Sequence, residues 1–208
     1  MRGPVDRLFP NLSHRRRVVV DWVVTIAVAV LIVLGVKAWI VNPYKIPSES
    51  MEPTLHCGRP APGCEGDGSD RVLANRFIYH FRDPKRGEIV VFHSPEAAKV
   101  ACIGGIFVKR IIGLPGEVWE ERNGYTYING KRLSEPYVQP SRRDTATKTL
   151  EDIPPRGTIR RIPKDMYLME GDNRAQSCDS RVWGLVPRAN IIGKVVLTYW
   201  PPGRIGSP

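Results

Sequence analysis

After Val41 no stretch of ten residues keeps the 3.6-residue spacing of apolar side chains that an amphipathic helix needs, which excludes a helical bundle. Cysteine is scarce: Cys57, Cys64, Cys102 and Cys178 form no C-x-x-C pair, which argues against a structural zinc. Nothing else in the chain calls for a metal or a cofactor. Of the four histidines, His14 precedes the long apolar run, and His80 and His93 lie at strand ends with no signature around them. His56 follows a serine-rich turn but lacks an orienting motif, so a Ser-His-Asp triad has no support. Acidic residues are too few to balance the basic ones, 21 against 31, and leave a formal charge of +10. Aromatics make up 8% and build no stacking platform, and no nucleic-acid motif is present. The positive charge therefore points to anionic lipid rather than to nucleic acid.

What is present begins with a membrane-length segment. Val18–Val41 is mostly apolar and Trp22–Val36 carries no charge. As a helix it would span roughly 36 Å, enough to cross a bilayer. Asp21 and Lys37 stand near its ends, and Trp22, Trp39 and Tyr44 suit the two interfaces. The preceding tail holds Arg2, Arg7, Arg15, Arg16 and Arg17 against Asp6. The positive-inside rule places that tail in the cytoplasm and the rest of the chain outside. A cleaved signal peptide is the competing reading, but the run is long for one, and Ala38-Trp39-Ile40 is not a small-x-small site. The expected organisation is a basic cytoplasmic tail over 1–17, a single-pass plasma-membrane anchor over 18–41, and an extracytoplasmic domain over 42–208. Val195–Trp200 is too short for a second span.

The outer domain reads as mainly β: antiparallel sheets or a folded barrel, broken by 19 glycines and 19 prolines. Strands are predicted at Arg71–Phe77, Glu88–Phe92, Ile106–Ile112, Tyr125–Ile128, Met166–Glu170 and Ile192–Tyr199. Asn123-Gly124 and Asn129-Gly130 predict hairpins between Val118 and Leu133. The polar stretch Arg142–Arg161 reads as a surface loop, part of an accessory excursion over about 119–165. Cys57 and Cys64 bracket a Pro- and Gly-rich loop, and outside the cytoplasm a local disulfide is plausible. Cys102 and Cys178 can pair only if the chain bends, as Gly104-Gly105 would permit, and that pairing stays open.

Three stretches carry the chemistry. In Pro47-Ser48-Glu49-Ser50-Met51-Glu52-Pro53 the prolines fix an exposed, rigid turn around Ser50. A serine hydroxyl is a weak nucleophile unless a base takes its proton. In Ile106-Phe107-Val108-Lys109-Arg110-Ile111-Ile112, strand alternation puts Lys109 on one face with Phe107 and Ile111, and Arg110 on the other. An amine packed among apolar groups loses hydration, its pKa falls, and its neutral form can accept a proton. The alternative is a lysine whose stem covers apolar surface and whose head stays in water. In Gly171-Asp172-Asn173-Arg174 and Ser177-Cys178-Asp179-Ser180-Arg181, Ser177 is a candidate partner for the amine. Asp172, Asp179 and Arg181 can pair with one another or with Arg110.

In this order after an N-terminal anchor, the three stretches resemble the conserved boxes of the bacterial type I signal peptidases, a family of Ser/Lys serine proteases. The resemblance covers most of the chain. It implies that Ser50 is the nucleophile and Lys109 the general base, with Ser48 and the Ser50 amide forming the oxyanion hole. It implies that Ser177 orients the lysine, that Arg110, Asp172, Asp179 and Arg181 brace the site, and that Ile46, Pro47, Phe107 and Val108 line the substrate groove. The implied substrates are secreted preproteins with small residues at −1 and −3, bound as an extended strand. Ala175-Gln176 departs from the more polar pair of many members, and Cys178 follows Ser177. Two other readings stay open: a Ser/Lys self-cleaving protease related to the SOS-response repressors, and a membrane-anchored β-domain that binds a partner without catalysis. The anchor and the lack of a helix-turn-helix argue against the first.

Overall fold

The computed structural model describes residues 13–39, 41–102 and 104–208, which fall into two compact units dividing after Val41. The first unit is one helix, α1 (His14–Trp39), roughly 39 Å long at about 1.5 Å per residue. Its stretch Arg15–Gly35 is long and apolar enough to cross a membrane, and its apolar side chains are exposed. The helix starts earlier than the apolar run because Arg15, Arg16 and Arg17 are good helix formers. Val41, expected in the anchor, opens a strand instead; Pro43 follows closely and cannot continue a helix. Arg2, Asp6 and Arg7 of the tail, and the side chains of His14, Lys37 and Trp39, lie outside the described residues.

The second unit is built on two antiparallel sheets. Its elements are β1 (Val41–Lys45), β2 (Arg71–Asn75), β3 (Ile89–His93), the short helix α2 (Glu96–Cys102), β4 (Ile106–Gly113), β5 (Trp119–Arg122), β6 (Tyr125–Ile128) and β7 (Lys131–Arg132). They continue with β8 (Lys148–Thr149), β9 (Met166–Glu170), the one-turn helix α3 (Ser180–Trp183), β10 (Val186–Pro187) and β11 (Ile191–Trp200). The large sheet runs β1-β2-β11-β3-β4-β9-β10 and the small one β7-β6-β5-β8. All six predicted strands form. The first ends at Asn75, where the chain tightens into a 3₁₀ turn over Phe77–His80. Both Asn-Gly pairs turn with positive φ at both residues, 50° and 74° at Asn123-Gly124, 50° and 77° at Asn129-Gly130, as a two-residue hairpin requires.

One pairing detail positions the site. β3 pairs with β4 along Ile106–Arg110, whereas β9 pairs with β4 from Arg110 onward. Ile106–Lys109 therefore keep one edge without a strand partner, and β1 is the outermost strand of the sheet at its other end.

Three apolar clusters hold the unit together. One lies behind the catalytic candidate strand, with Val90, Phe92, Ile111, Met169 and Trp183. A second lies under the serine turn, with Ile46, Met51, Leu55, Val72 and Val195. The third joins the sheets through Ile112, Trp119, Leu150, Ile153, Ile162 and Leu168. Arg142–Arg161 lies mostly at the surface, as expected, but it is pinned to the body and is not an unstructured loop. Leu150 and Ile153 are core residues, and Lys148–Thr149 pair with Glu120 and Glu121 as β8. A polar segment can still be pinned by two apolar side chains when a sheet edge waits for it. Both cysteine pairs are bridged, Cys57 with Cys64 and Cys102 with Cys178, their Cα atoms 5.0 and 6.3 Å apart.

Leu168 is fully buried in the cluster that joins the sheets. Leu168→Ala should lower unfolding free energy by about 2–5 kcal/mol, read from urea denaturation of the detergent-solubilised chain.

Candidate active site

Ser50 sits in a single 3₁₀ turn, Glu49–Met51, preceded by Ser48 in extended conformation. Met51 and Leu55 anchor the turn in the core, so the serine is held at 7% exposure rather than waving in solvent. The third stretch clamps it from the other side. The Asn173 amide donates to Ser50 O at 3.1 Å, and Asn173 Nδ2 donates to Glu49 O at 3.2 Å. The Thr54 hydroxyl donates to Asp172 Oδ2 at 2.5 Å.

Lys109 projects from β4 with 4% exposure, and its Nζ stands 2.5 Å from Ser50 Oγ. The amine is 5.8 Å from the Phe107 ring centroid; that ring stacks on Trp183 of α3. Burial pulls the amine down from 10.5 to about 8, against the opposing pull of Asp179 and Asp172. This excludes the snorkelling alternative: the head is as buried as the stem. His56 makes no hydrogen bond to Ser50 among the described residues; its Nδ1 is bonded to Glu52, and Ser50 Oγ meets Lys109 Nζ and Ser48 Oγ instead. Glu52, His56 and Glu65 form the group of candidate metal donors among the described residues. Their bonds are already used to close the turn: Glu52 Oε1 accepts from the amides of Cys57 and Glu65, at 3.0 and 3.1 Å.

The bracing residues pair as separate units. Arg110 grips Asp172 through two bonds, Nε to Oδ1 at 2.8 Å and an η-nitrogen to Oδ2 at 2.5 Å, and stacks 4.0 Å over the Tyr137 ring. Arg181 grips Asp179 in the same way, with both bonds at 2.9 Å. Burial opposes the charge on Asp179, but Arg181 beside it outweighs burial and holds the carboxyl below its ordinary value.

Ser177 departs from expectation. Its Oγ is buried but makes no hydrogen bond to Lys109; the amine's bond goes to Ser50. Ser177 instead lies near enough to Asp179 to favour that carboxylate's charged form. Sequence reasoning also missed Arg174, which is fully buried. Its guanidinium donates to Thr126 Oγ1 at 2.9 Å, to Gly171 O at 3.1 Å and to Glu135, and forms an ion pair with Glu170 at 2.9 Å. Arg174 was within a quoted stretch, but Thr126, Glu135 and Glu121 come from the small sheet, and nothing local in the sequence points them inward.

Ile46, Pro47, Phe107 and Val108 line a single hollow of about 180 Å³ together with Ser48, Ser50 and Lys109. The hollow is mostly apolar and lies between the unpartnered edges of β1 and β4. Ser48 Oγ is 3.4 Å from Ser50 Oγ at its floor. The arrangement offers an amine of lowered basicity on a hydroxyl, a second hydroxyl alongside, and an apolar groove leading to both.

A family profile described as "Signal peptidase, peptidase S26" matches residues 19–200. The chain belongs to this family. Signal peptidase I of Leptolyngbya laminosa is 38% identical over 187 residues, 88% of this chain and 80% of that protein. Signal peptidase IB of Staphylococcus aureus is 36% identical over 195 residues, 89% of this chain and 92% of that one. A crystal structure of a signal peptidase I from Enterococcus faecalis is similar at 37% identity with a TM-score of 0.46, covering 55% of this chain and 97% of that chain.

In this signal peptidase family member, Gly171 is where the first and third stretches touch. A Cβ there would stand 2.3 Å from Ser50 O and 2.4 Å from Ser177 Oγ. Gly171→Ala should therefore push the serine off the amine. The expected result is loss of about a hundredfold in peptidase rate, the size a misplacement of about an ångström can cost, with the circular dichroism spectrum retained.

Proposed function

We propose that this chain is a membrane-anchored serine endopeptidase that removes signal peptides from secreted preproteins, with Ser50 as nucleophile and Lys109 as general base. The observation that carries the assignment is the 2.5 Å contact between a buried amine and a buried hydroxyl. Family membership supplies the substrate class.

The scissile carbonyl would lie over Ser50, with the signal peptide in the groove between β1 and β4. Ser50 Oγ forms a bond to the carbonyl carbon while its proton passes to the Lys109 lone pair. The resulting oxyanion would be held by the Ser48 hydroxyl and the Ser50 amide; the first amides of a helical turn have no intrahelical acceptor. The C–N bond then breaks, and the ammonium of Lys109 returns its proton to the leaving amine. Water attacks the ester, giving one proton to Lys109, and the freed Oγ recovers it. In this scheme Arg110, Asp172, Asp179 and Arg181 hold the two reacting atoms in register, and Ser177 acts on the lysine through Asp179.

We assign 1–17 to a cytoplasmic tail and α1 to the plasma-membrane anchor, with residues 42–208 outside. Arg15, Arg16 and Arg17 at the start of α1 support that orientation, and they also suit anionic headgroups. Ser50 follows Val41 by only nine residues, so the site stays at the outer membrane face, where a signal peptide ends.

Ser50→Ala and Lys109→Ala should each abolish cleavage of a purified preprotein while leaving the fold intact. Undiminished cleavage by either variant would overturn the assignment of that residue, and no cleavage by the wild type would favour a non-catalytic binding domain. The pH profile follows from the amine. Only the neutral form accepts a proton, so kcat/KM should rise about tenfold per pH unit below about 8 and level off above it. The same depressed value predicts that stability gains with pH between about 8 and 10.5, where the unfolded lysine is protonated and the folded one is not.

A further inference from the structure

Beyond the apolar groove, a second hollow of about 540 Å³ opens beside the same serine turn. The two share no lining residue; the groove meets the turn at Ser48, Ser50 and Met51, the second hollow at Glu49. The second is the more polar of the two. The second is walled by Glu49, Glu65, Gln139, Arg142, Asn173 and Gln176, drawn from the serine turn, the Cys57–Cys64 loop, the small-sheet excursion and the third stretch.

The bonding of these groups leaves a defined set free for a ligand. Arg142 and Glu65 are paired with each other, so their charges cancel. The Glu49 carboxylate lies against Gly63, where a Cβ would meet its Oε2 at 1.1 Å, and has no ion pair or hydrogen bond among the described residues. The carboxamides of Gln139 and Gln176 are likewise unbonded. One negative charge and two free amides therefore face the cleft. Gln176 belongs to the Ala175-Gln176 pair that sets this chain apart in sequence.

We propose that this cleft binds the first residues of the mature protein, just past the scissile bond, and that Glu49 selects for positive charge there. The inference rests on the peptidase reading above. A preprotein seated with its apolar signal end between β1 and β4 must continue past Ser50, and the polar cleft is the hollow that adjoins the serine on its Glu49 side. Unbonded carboxamides suit the backbone of an extended chain, whose N–H and C=O need partners. A lone carboxylate suits a lysine or arginine side chain, and it also faces the new amino terminus once the C–N bond has broken.

The test uses the full chain in detergent micelles and two preproteins identical except at +2, one with Lys and one with Glu. Wild type should prefer the Lys substrate in kcat/KM by about two- to fivefold, the range one exposed charge pair supports. The preference should vanish in Glu49→Gln, reverse in Glu49→Lys, and fade in high salt. Gln139→Lys, on a separate wall, should move the ratio towards the Glu substrate and guards against a misfolded turn. A Lys/Glu ratio equal in wild type and all three variants would overturn the cleft assignment while leaving the peptidase reading intact. Cleavage of neither substrate by wild type would instead sink the peptidase reading, and this one with it.

Discussion

In the proposed role of general base the amine of Lys109 must be neutral to work, yet two carboxylates lie close enough to recharge it. Asp179 and Asp172 both favour the ammonium form, and burial favours the amine. Burial wins because each carboxylate is already committed to its own guanidinium, Asp172 to Arg110 and Asp179 to Arg181. A carboxylate held by two charge-assisted bonds has little field left for a third partner. The two ion pairs are thus electrostatic shields as much as struts. Remove either arginine and the remaining buried carboxylate faces the lysine directly, which both destabilises the fold and raises the base out of its working range.

The small sheet extends the same logic outward. Arg174 and Arg181 both start in the third stretch, but their outer partners, Glu135, Thr126, Glu121 and Asp144, come from the accessory excursion. Buried ion pairs of this kind add little net stability, because desolvation offsets their attraction. What they add is a single geometry for the loop that clamps Ser50. The disulfides serve the same end. One closes the loop whose Gly63 packs on Glu49, and the other ties α2, just before β4, to the residue beside Ser177.

Local pattern made most of this legible. Alternation gives the face of Lys109: Phe107 and Ile111 belong to one cluster, Val108 and Ile112 to two others. Alternation and flanking prolines alone leave Lys109 and Ser50 as ordinary residues; the resemblance of the three stretches to a known family singles them out, while the hairpins follow from the Asn-Gly pairs. What escaped was long-range. Leu150 and Ile153 look like stray apolar residues in a polar stretch until Trp119 and Leu168 appear beneath them. Glu121 and Glu135 look like solvated charges until Arg181 and Arg174 reach them across the sheets. The cysteine pairing of 102 with 178 depended on a bend no periodicity reports. For Ser177 the sequence offers a hydroxyl in the third stretch but does not fix the direction of its bond, and its buried Oγ makes no hydrogen bond to Lys109.

The open edges of β1 and β4 connect this chemistry to selectivity. An unpaired strand edge is ordinarily a hazard, because it invites pairing with any extended chain. Here two such edges face one hollow, and an extended substrate entering it finds backbone partners on β4 without needing any particular sequence. Selection must then come from side chains. Along an extended chain, residues alternate between faces, so −1 and −3 point the same way and −2 points the other. If −1 lies over Ser50, the pair at −1 and −3 faces Ile46, Phe107 and Val108 in a hollow of only about 180 Å³. Both side chains must then share one apolar hollow, while −2 is turned away from it. The preference for small residues at alternate positions that we propose then needs no dedicated recognition group; it follows from the period of a strand and from two side chains sharing the hollow beside the edge that β9 leaves open before Arg110.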